Sequence, residues 1–217
     1  MTKGFKTAPQ INRRMTELTG AYDGAVMGAC SGLVEGTKIA TAMGFQKIET
    51  LEPGARVVTF DNGLQQVRAV RREPLWFASA ECPRSLHPLF VPAGAIGNAQ
   101  DMMLLPHQAV LVESDAAEAA FGDPFVLMQA KDLEGIQGIT RVAPSAPMTV
   151  VTLEFETDEV IFAASGAMCV CPSRSDLEGM LNRPEGGREY KTLTAYKDAD
   201  LVDAIRAELD AGLAKAA

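Results

Sequence analysis

The sequence predicts a mainly β domain, and three observations carry that expectation. Short β-favouring runs recur through the central residues, each bounded by turn chemistry. Asp61-Asn62-Gly63 is a strong hairpin signal, because Asn and Gly both tolerate left-handed backbone. Helical spacing of apolar residues is confined almost wholly to the two ends of the chain.

The elements follow in order. Thr37–Thr41 reads as a strand, Met43-Gly44 as a turn and Gln46–Glu49 as the returning strand. Leu51-Glu52-Pro53-Gly54 is a turn, with Pro presetting φ at one corner and Gly allowing positive φ at the next. Arg56–Phe60 and Gln65–Val70 flank the Asp61-Asn62-Gly63 turn. Leu86–Val91 is a further strand, and Pro92-Ala93-Gly94 with Gly97-Asn98 marks a loop. Met102–Leu105 and Val110–Val112 bracket Pro106-His107-Gln108-Ala109. Ser114–Ala120 suggests a short helix, and Phe125–Met128 and Met148–Phe155 suggest strands. Asp158-Glu159 before Val160–Ala163 suggests a second hairpin arm. Leu201, Val202, Ile205, Leu209 and Leu213 recur at helical spacing, which predicts a helix over about 199–215 with Asp198 or Asp200 as its cap. Ile11, Met15 and Leu18 suit one short N-terminal helix. The expected organisation is an arm over 1–30, a β domain over 31–172, and a linker with a terminal helix over 173–217.

Composition bounds the function. The 217 residues carry 20 Lys+Arg against 28 Asp+Glu, a net charge of -8. Such an acidic chain is a poor ligand for nucleic acid or an anionic membrane. No apolar run is long enough to span a bilayer, and no secretory signal is legible, so the expected location is the cytoplasm. The four cysteines, Cys30, Cys82, Cys169 and Cys171, are too few for a disulfide framework. Cys169 and Cys171 share a face if they lie in a strand, but their spacing matches no zinc motif. Buried structural thiols are therefore expected, with no metal and no cofactor. Trp76, beside Leu75 and Phe77, reads as part of a buried strand.

Several segments share an order with a known family. Gly32-Leu33-Val34-Glu35-Gly36-Thr37-Lys38-Ile39-Ala40-Thr41 resembles the opening of a Hint domain, the hedgehog/intein self-processing module. Ile48–Val57, with Leu51, Gly54 and Val57, resembles that family's turn before its next strand. Val91-Pro92-Ala93-Gly94-Ala95-Ile96-Gly97-Asn98 is similar to a loop of a bacterial Hint subgroup, and Leu105-Pro106-His107-Gln108-Ala109-Val110-Leu111-Val112 to its histidine-bearing strand. Thr149–Ala163 resembles the last shared segment. The resemblance covers residues 32–171 and implies a compact β fold with internal pseudo-two-fold symmetry.

It also implies a chemistry: the first residue of the module attacks the carbonyl before it and converts a peptide to a thioester or ester. That needs a thiol or hydroxyl, a histidine to act on the scissile amide nitrogen, and donors for the oxyanion. Here the first position falls on Gly32 and the histidine position on Gln108. Further histidine positions fall on Thr152 and Asp158. Every expected catalytic position carries another residue. Thr37 matches a hydroxyl that borders the family's site, although a strand residue is its simplest reading.

An alternative pairs Ser31 as nucleophile with His107 as base, both one residue early. A one-residue slip turns a side chain to the other face of a strand, so two bulges are needed to restore that pair. Cys30 keeps the face but lies a two-residue strand step of roughly 7 Å away. The leading expectation is a non-processing module that binds a protein or peptide, or supports an attached one. The alternatives are self-cleavage through Ser31 or Cys30, and metal binding by Cys169, Cys171 and a third ligand.

Overall fold

The computed structural model describes residues 31–75, 83–144, 147–171, 173 and 190–214. The expected N-terminal helix, Cys30, Trp76 and Cys82 lie outside the described residues. Among those described, strands numbered β1 to β15 in chain order form two sheets. The first has the order β11 (Thr140–Arg141), β7 (Leu89–Val91), β8 (Met102–Leu104), β1 (Leu33–Val34), β12 (Thr149–Glu154), β6 (Ala69–Pro74). The second runs β15 (Lys191–Thr192), β10 (Phe125–Gln129), β9 (Ala109–Glu113), β14 (Ala167–Cys171), β13 (Glu159–Ala163), β2 (Lys38–Thr41), β4 (Arg56–Thr59), β5 (Gly63–Gln66). Strand β3 (Gly44–Lys47) pairs with β2 outside this path.

One core joins the sheets. Leu33, Leu89, Leu104 and Leu153 of the first pack in the same buried cluster as Ile39, Val57, Val110 and Ile161 of the second. The two early hairpins form because their turns are chemically clamped. The Thr41 hydroxyl donates to the Gly44 carbonyl at 2.6 Å, and the Thr59 hydroxyl to the Gly63 carbonyl at 3.0 Å. A second clamp comes from the loop at 92–98. Asn98, buried, donates its amide to the carbonyls of Pro92 and Gln100 at 2.9 and 2.8 Å. That loop touches the β13–β14 turn so closely that a Cβ built on Gly166 meets the Gly97 carbonyl oxygen at 1.9 Å, a contact only glycine permits.

Five expectations need correction. The strand returning from β2 is Gly44–Lys47, not Gln46–Glu49, because Gly44 already pairs with Thr41 and Ile48–Thr50 forms a 3-10 turn. Gln65–Val70 is not one strand: β5 ends at Gln66 and β6 begins at Ala69 in the other sheet. Buried Val67 exchanges backbone bonds with Gly54 and Ala55, and the next N–H, of Arg68, donates to Glu154 at 2.7 Å. Glu159–Ala163 is not a hairpin partner of the preceding strand, because β1 and β6 already occupy both edges of β12. Its hairpin partner is β14 instead. Leu86–Val91 is divided, with a 3-10 turn at Arg84–Leu86 and a strand only from Leu89, since Pro88 has no N–H to give a ladder. Thr37 precedes β2, and its hydroxyl donates to the Val34 carbonyl at 2.6 Å, closing the Glu35-Gly36 turn.

The C-terminal residues pack into the domain. β15 pairs in parallel with β10, and Leu193, Val202 and Ile205 are part of the main buried cluster. Helix α1 (Asp115–Phe121) starts at Ser114, whose hydroxyl caps the Ala117 N–H at 3.2 Å. Helix α2 (Ala199–Ala214) lies against it. The Asp198 carboxylate turns back to the Thr194 N–H at 3.0 Å. From α2, Glu208 accepts the Ser114 hydroxyl and the Ala116 N–H at 2.5 and 2.9 Å, placing a carboxylate on the positive end of α1. Arg206 donates to the carbonyls of Asp132 and Glu134. Glu208→Ala removes both acceptors and is expected to lower stability by about 1–2 kcal/mol, read from the midpoint of urea unfolding. No helix among the described residues is long and apolar enough to cross a membrane.

Candidate functional site

Gly32 lies in the bend that leads into β1, a strand held between β8 and β12. Its φ of +117° lies in the region that side-chain-bearing residues rarely adopt. A Cβ built there meets Val150 Cγ1 at 2.6 Å and Thr152 Oγ1 at 2.9 Å, both on β12. Gln108 arrives from the turn before β9, where its N–H bonds the Leu105 carbonyl at 3.0 Å. Its side chain is buried, and Oε1 accepts the Gly32 N–H at 2.8 Å.

The structure therefore brings together three sequence-selected positions, Gly32, Gln108 and Thr152. The nitrogen that Gln108 holds belongs to the Ser31–Gly32 peptide, the bond that precedes the first motif residue. The amide orientation follows from the surroundings. Nε2 donates to the carbonyls of Val170 and Ala109 at 2.8 and 2.9 Å. Turning the amide over would set an oxygen against two carbonyls and an NH₂ against an N–H. Both polar side-chain atoms of Gln108 are thus engaged, Nε2 donating twice and Oε1 accepting once. A neutral amide so placed can position a peptide but has no proton to deliver near neutral pH.

The remaining selected residues stand elsewhere. Asp158 is exposed, and its carboxylate accepts the Ser173 N–H at 2.7 Å. Ser31 is exposed, and Cys30 lies outside the described residues. The His107 ring is directed to Gln129, with Nδ1 3.1 Å from Oε1. Partial burial, foremost, holds its imidazole below the usual histidine range, opposed by the Gln129 contact and helped by nearby Lys131 and Arg141. No bond recorded among the described residues joins His107 to Ser31 or Gly32. Val150 and the Val170 carbonyl shape the site without having been selected from sequence. A valine methyl and a backbone oxygen carry no motif signal.

Cys169 and Cys171 alternate with Val170 on β14 and are both buried and reduced. Desolvation pushes the Cys169 thiol up to about 12 and the Cys171 thiol higher still. A thiol whose folded pKa exceeds its unfolded value keeps its full contribution below the unfolded value and loses it as the pH rises. Both thiols are expected to resist a disulfide reagent at pH 8 in the folded chain and to react on unfolding, as a colorimetric thiol titration measures. Among the described residues no group of three or more His, Cys, Asp or Glu side chains is arranged to hold a metal ion.

Residues 31–169 match the family model described as the Hint domain. Among solved structures, the chain is similar to the bacterial intein-like domain from Clostridium thermocellum, at 13% identity and a TM-score of 0.47, covering 64% of this chain and 97% of that one. It is also similar to the gp41-1 intein, at 10% identity and a TM-score of 0.40, covering 63% and 97% of the two chains. The MchDnaB-1 intein gives 10% identity and a TM-score of 0.40, with 63% and 98% covered. No curated protein matches the chain. The matched segment spans well over half of the 217 residues and runs from the residue before Gly32 to Cys169 on β14, and the chain belongs to the Hint domain family.

Proposed function

We propose that this Hint domain does not process itself and acts as a protein- or peptide-binding or structural module. The observation that carries the proposal is the bond from the Gly32 N–H to Gln108 Oε1. It puts an amide where self-processing needs a proton donor, and a glycine where it needs a nucleophile. The packing of Val150 and Thr152 against the Gly32 Cα supports the same reading, since it leaves no room for the missing thiol or hydroxyl. What remains is a buried amide that fixes the backbone at Gly32 without breaking it.

The alternative, an acyl shift through Ser31 or Cys30 with His107 as base, asks the imidazole to leave Gln129 and reach the other side of its turn. The two readings separate in one measurement. The purified full-length chain is incubated at pH 7–8 with dithiothreitol or hydroxylamine and weighed by intact mass spectrometry. A single species of unchanged mass is expected. Fragments divided at residues 29–32 would establish self-cleavage and remove the proposal.

A further inference from the structure

We infer that the outer face of strands β2 to β5 docks an acidic amphipathic segment of another protein. The inference rests on the binding-module reading and adds where the partner sits and what chemistry it carries.

Alternate residues of a strand share a face. Thr41 and Val57 are register partners and both point into the core, so Ala40 and Val58 point outward. Ala40 is paired with Phe45 and Val58 with Leu64. The result is two adjoining apolar pairs on the outer face, one on each hairpin, beside the point where β2 meets β4 at Thr41 and Val57. Their outer members are open to solvent, with Phe45 53% and Leu64 40% exposed, and Met43 at the adjoining turn is 85% exposed. An unbranched thioether beside such pairs is an adaptable contact.

Cations flank the pairs on both sides. Lys38 and Lys47 lie one step away in register, directly opposite each other, and Arg56 lies a step away on the other side. Like charges set opposite on neighbouring strands destabilise the free protein. Among the described residues, none of the three cations has an ion pair or side-chain hydrogen bond. These unpaired cations stand out in a chain with 28 acidic residues against 20 basic ones. The acidic side chains Glu49, Glu52 and Glu159 have other partners: Glu49 accepts the Gly36 N–H, Glu52 pairs with Arg72, and Glu159 accepts from Asn62. Apolar pairs between unpaired cations are complementary to an apolar segment bearing carboxylates on both sides.

Charge also selects the occupant. A second copy meeting this face with its own would oppose lysine to lysine. Residues 1–30 carry Lys3, Lys6, Arg13 and Arg14 against Glu17 and Asp23, the wrong sign for the face. An acidic segment from a different protein meets neither objection.

The test uses the full chain and a fluorescein-labelled peptide, Glu-Leu-Glu-Phe-Glu-Leu-Glu, with its lysine counterpart as the control, followed by anisotropy. Saturable binding of the acidic peptide that weakens with added salt is expected, with none for the lysine peptide. Lys47→Glu should weaken binding by about tenfold or more, because an attraction becomes a repulsion. The same change removes a like-charge pair, so its melting temperature should equal or exceed the parent's. Phe45→Thr, which keeps a β-favouring residue, should also weaken binding. No saturable binding, or equal binding of both peptides, overturns the inference. A peptide held with parental affinity by both variants binds elsewhere, which overturns this face and leaves the binding-module reading standing. The processing half of that reading is decided separately, by intact mass.

Discussion

Gly32→Ala is expected to destabilise the fold by about 2–6 kcal/mol, and Gly32→Cys to do the same without producing cleavage. Two costs add. A residue with a Cβ at φ +117° pays about 1–3 kcal/mol in backbone strain. The new atom also enters the van der Waals spheres of Val150 Cγ1 and Thr152 Oγ1, at 2.6 and 2.9 Å, and overpacking a filled interior costs about 1–3 kcal/mol. Both neighbours sit on β12, which is paired on each side, so neither can retreat without moving the sheet. Chemical unfolding of each variant reads the stability, and intact mass reads the chemistry. A Gly32→Cys chain as stable as its parent, and cleaved by added thiol, would mean that the site still has room and a proton source.

Gln108→Leu is expected to cost a similar amount, about 2–6 kcal/mol. The volume is nearly kept, so the loss is polar. The Gly32 N–H and the Val170 carbonyl lose the partner that the amide supplied, at roughly 1–3 kcal/mol for each group left unpaired. Gln108→Glu is the sharper probe. It keeps the acceptor for Gly32 but puts negative charge against the carbonyls of Val170 and Ala109. Burial beside two carbonyls raises the folded pKa of such a carboxyl above its unfolded value, about 4.3 for glutamate. The unfolded chain then releases its proton first, and stability falls as the pH rises from about 4 towards the folded value. The parent chain should lack this component. Unfolding midpoints for both chains from pH 4 to 7 make the comparison. Parallel curves would show that Gln108 is not confined as its three bonds indicate.

Some of the molecule was legible because its signals are local. The Asp61-Asn62-Gly63 turn and the Pro53-Gly54 corner each specify a backbone conformation within a few residues. So does the apolar spacing of α2, which puts Val202 and Ile205 inward. The order of motifs also singled out Gly32 and Gln108, and a hydrogen bond joins the two across 76 residues. The strands whose role depends on a distant partner were misassigned. Gln65–Val70 alternates acceptably as one strand, and nothing within it says that Val67 must end one sheet and Arg68 open the other. The hairpin expected before Val160 failed for a similar reason, since both edges of β12 were taken by strands from elsewhere in the chain.

The sequence by itself determined that the chain is a β domain resembling the Hint family and that a glycine, Gly32, opens the matching motif. Short-range turn chemistry suffices for the β domain, and the family follows from the order of motifs that resemble it. Tertiary structure alone decided that the space beside Gly32 is filled by Val150 and Thr152, and that Gln108 spends every polar atom holding the backbone there. It also decided which lysines face each other on the outer sheet. The physical reason is common to all three. Close packing and cross-strand register depend on which distant strands become neighbours, and no window of sequence contains that pairing.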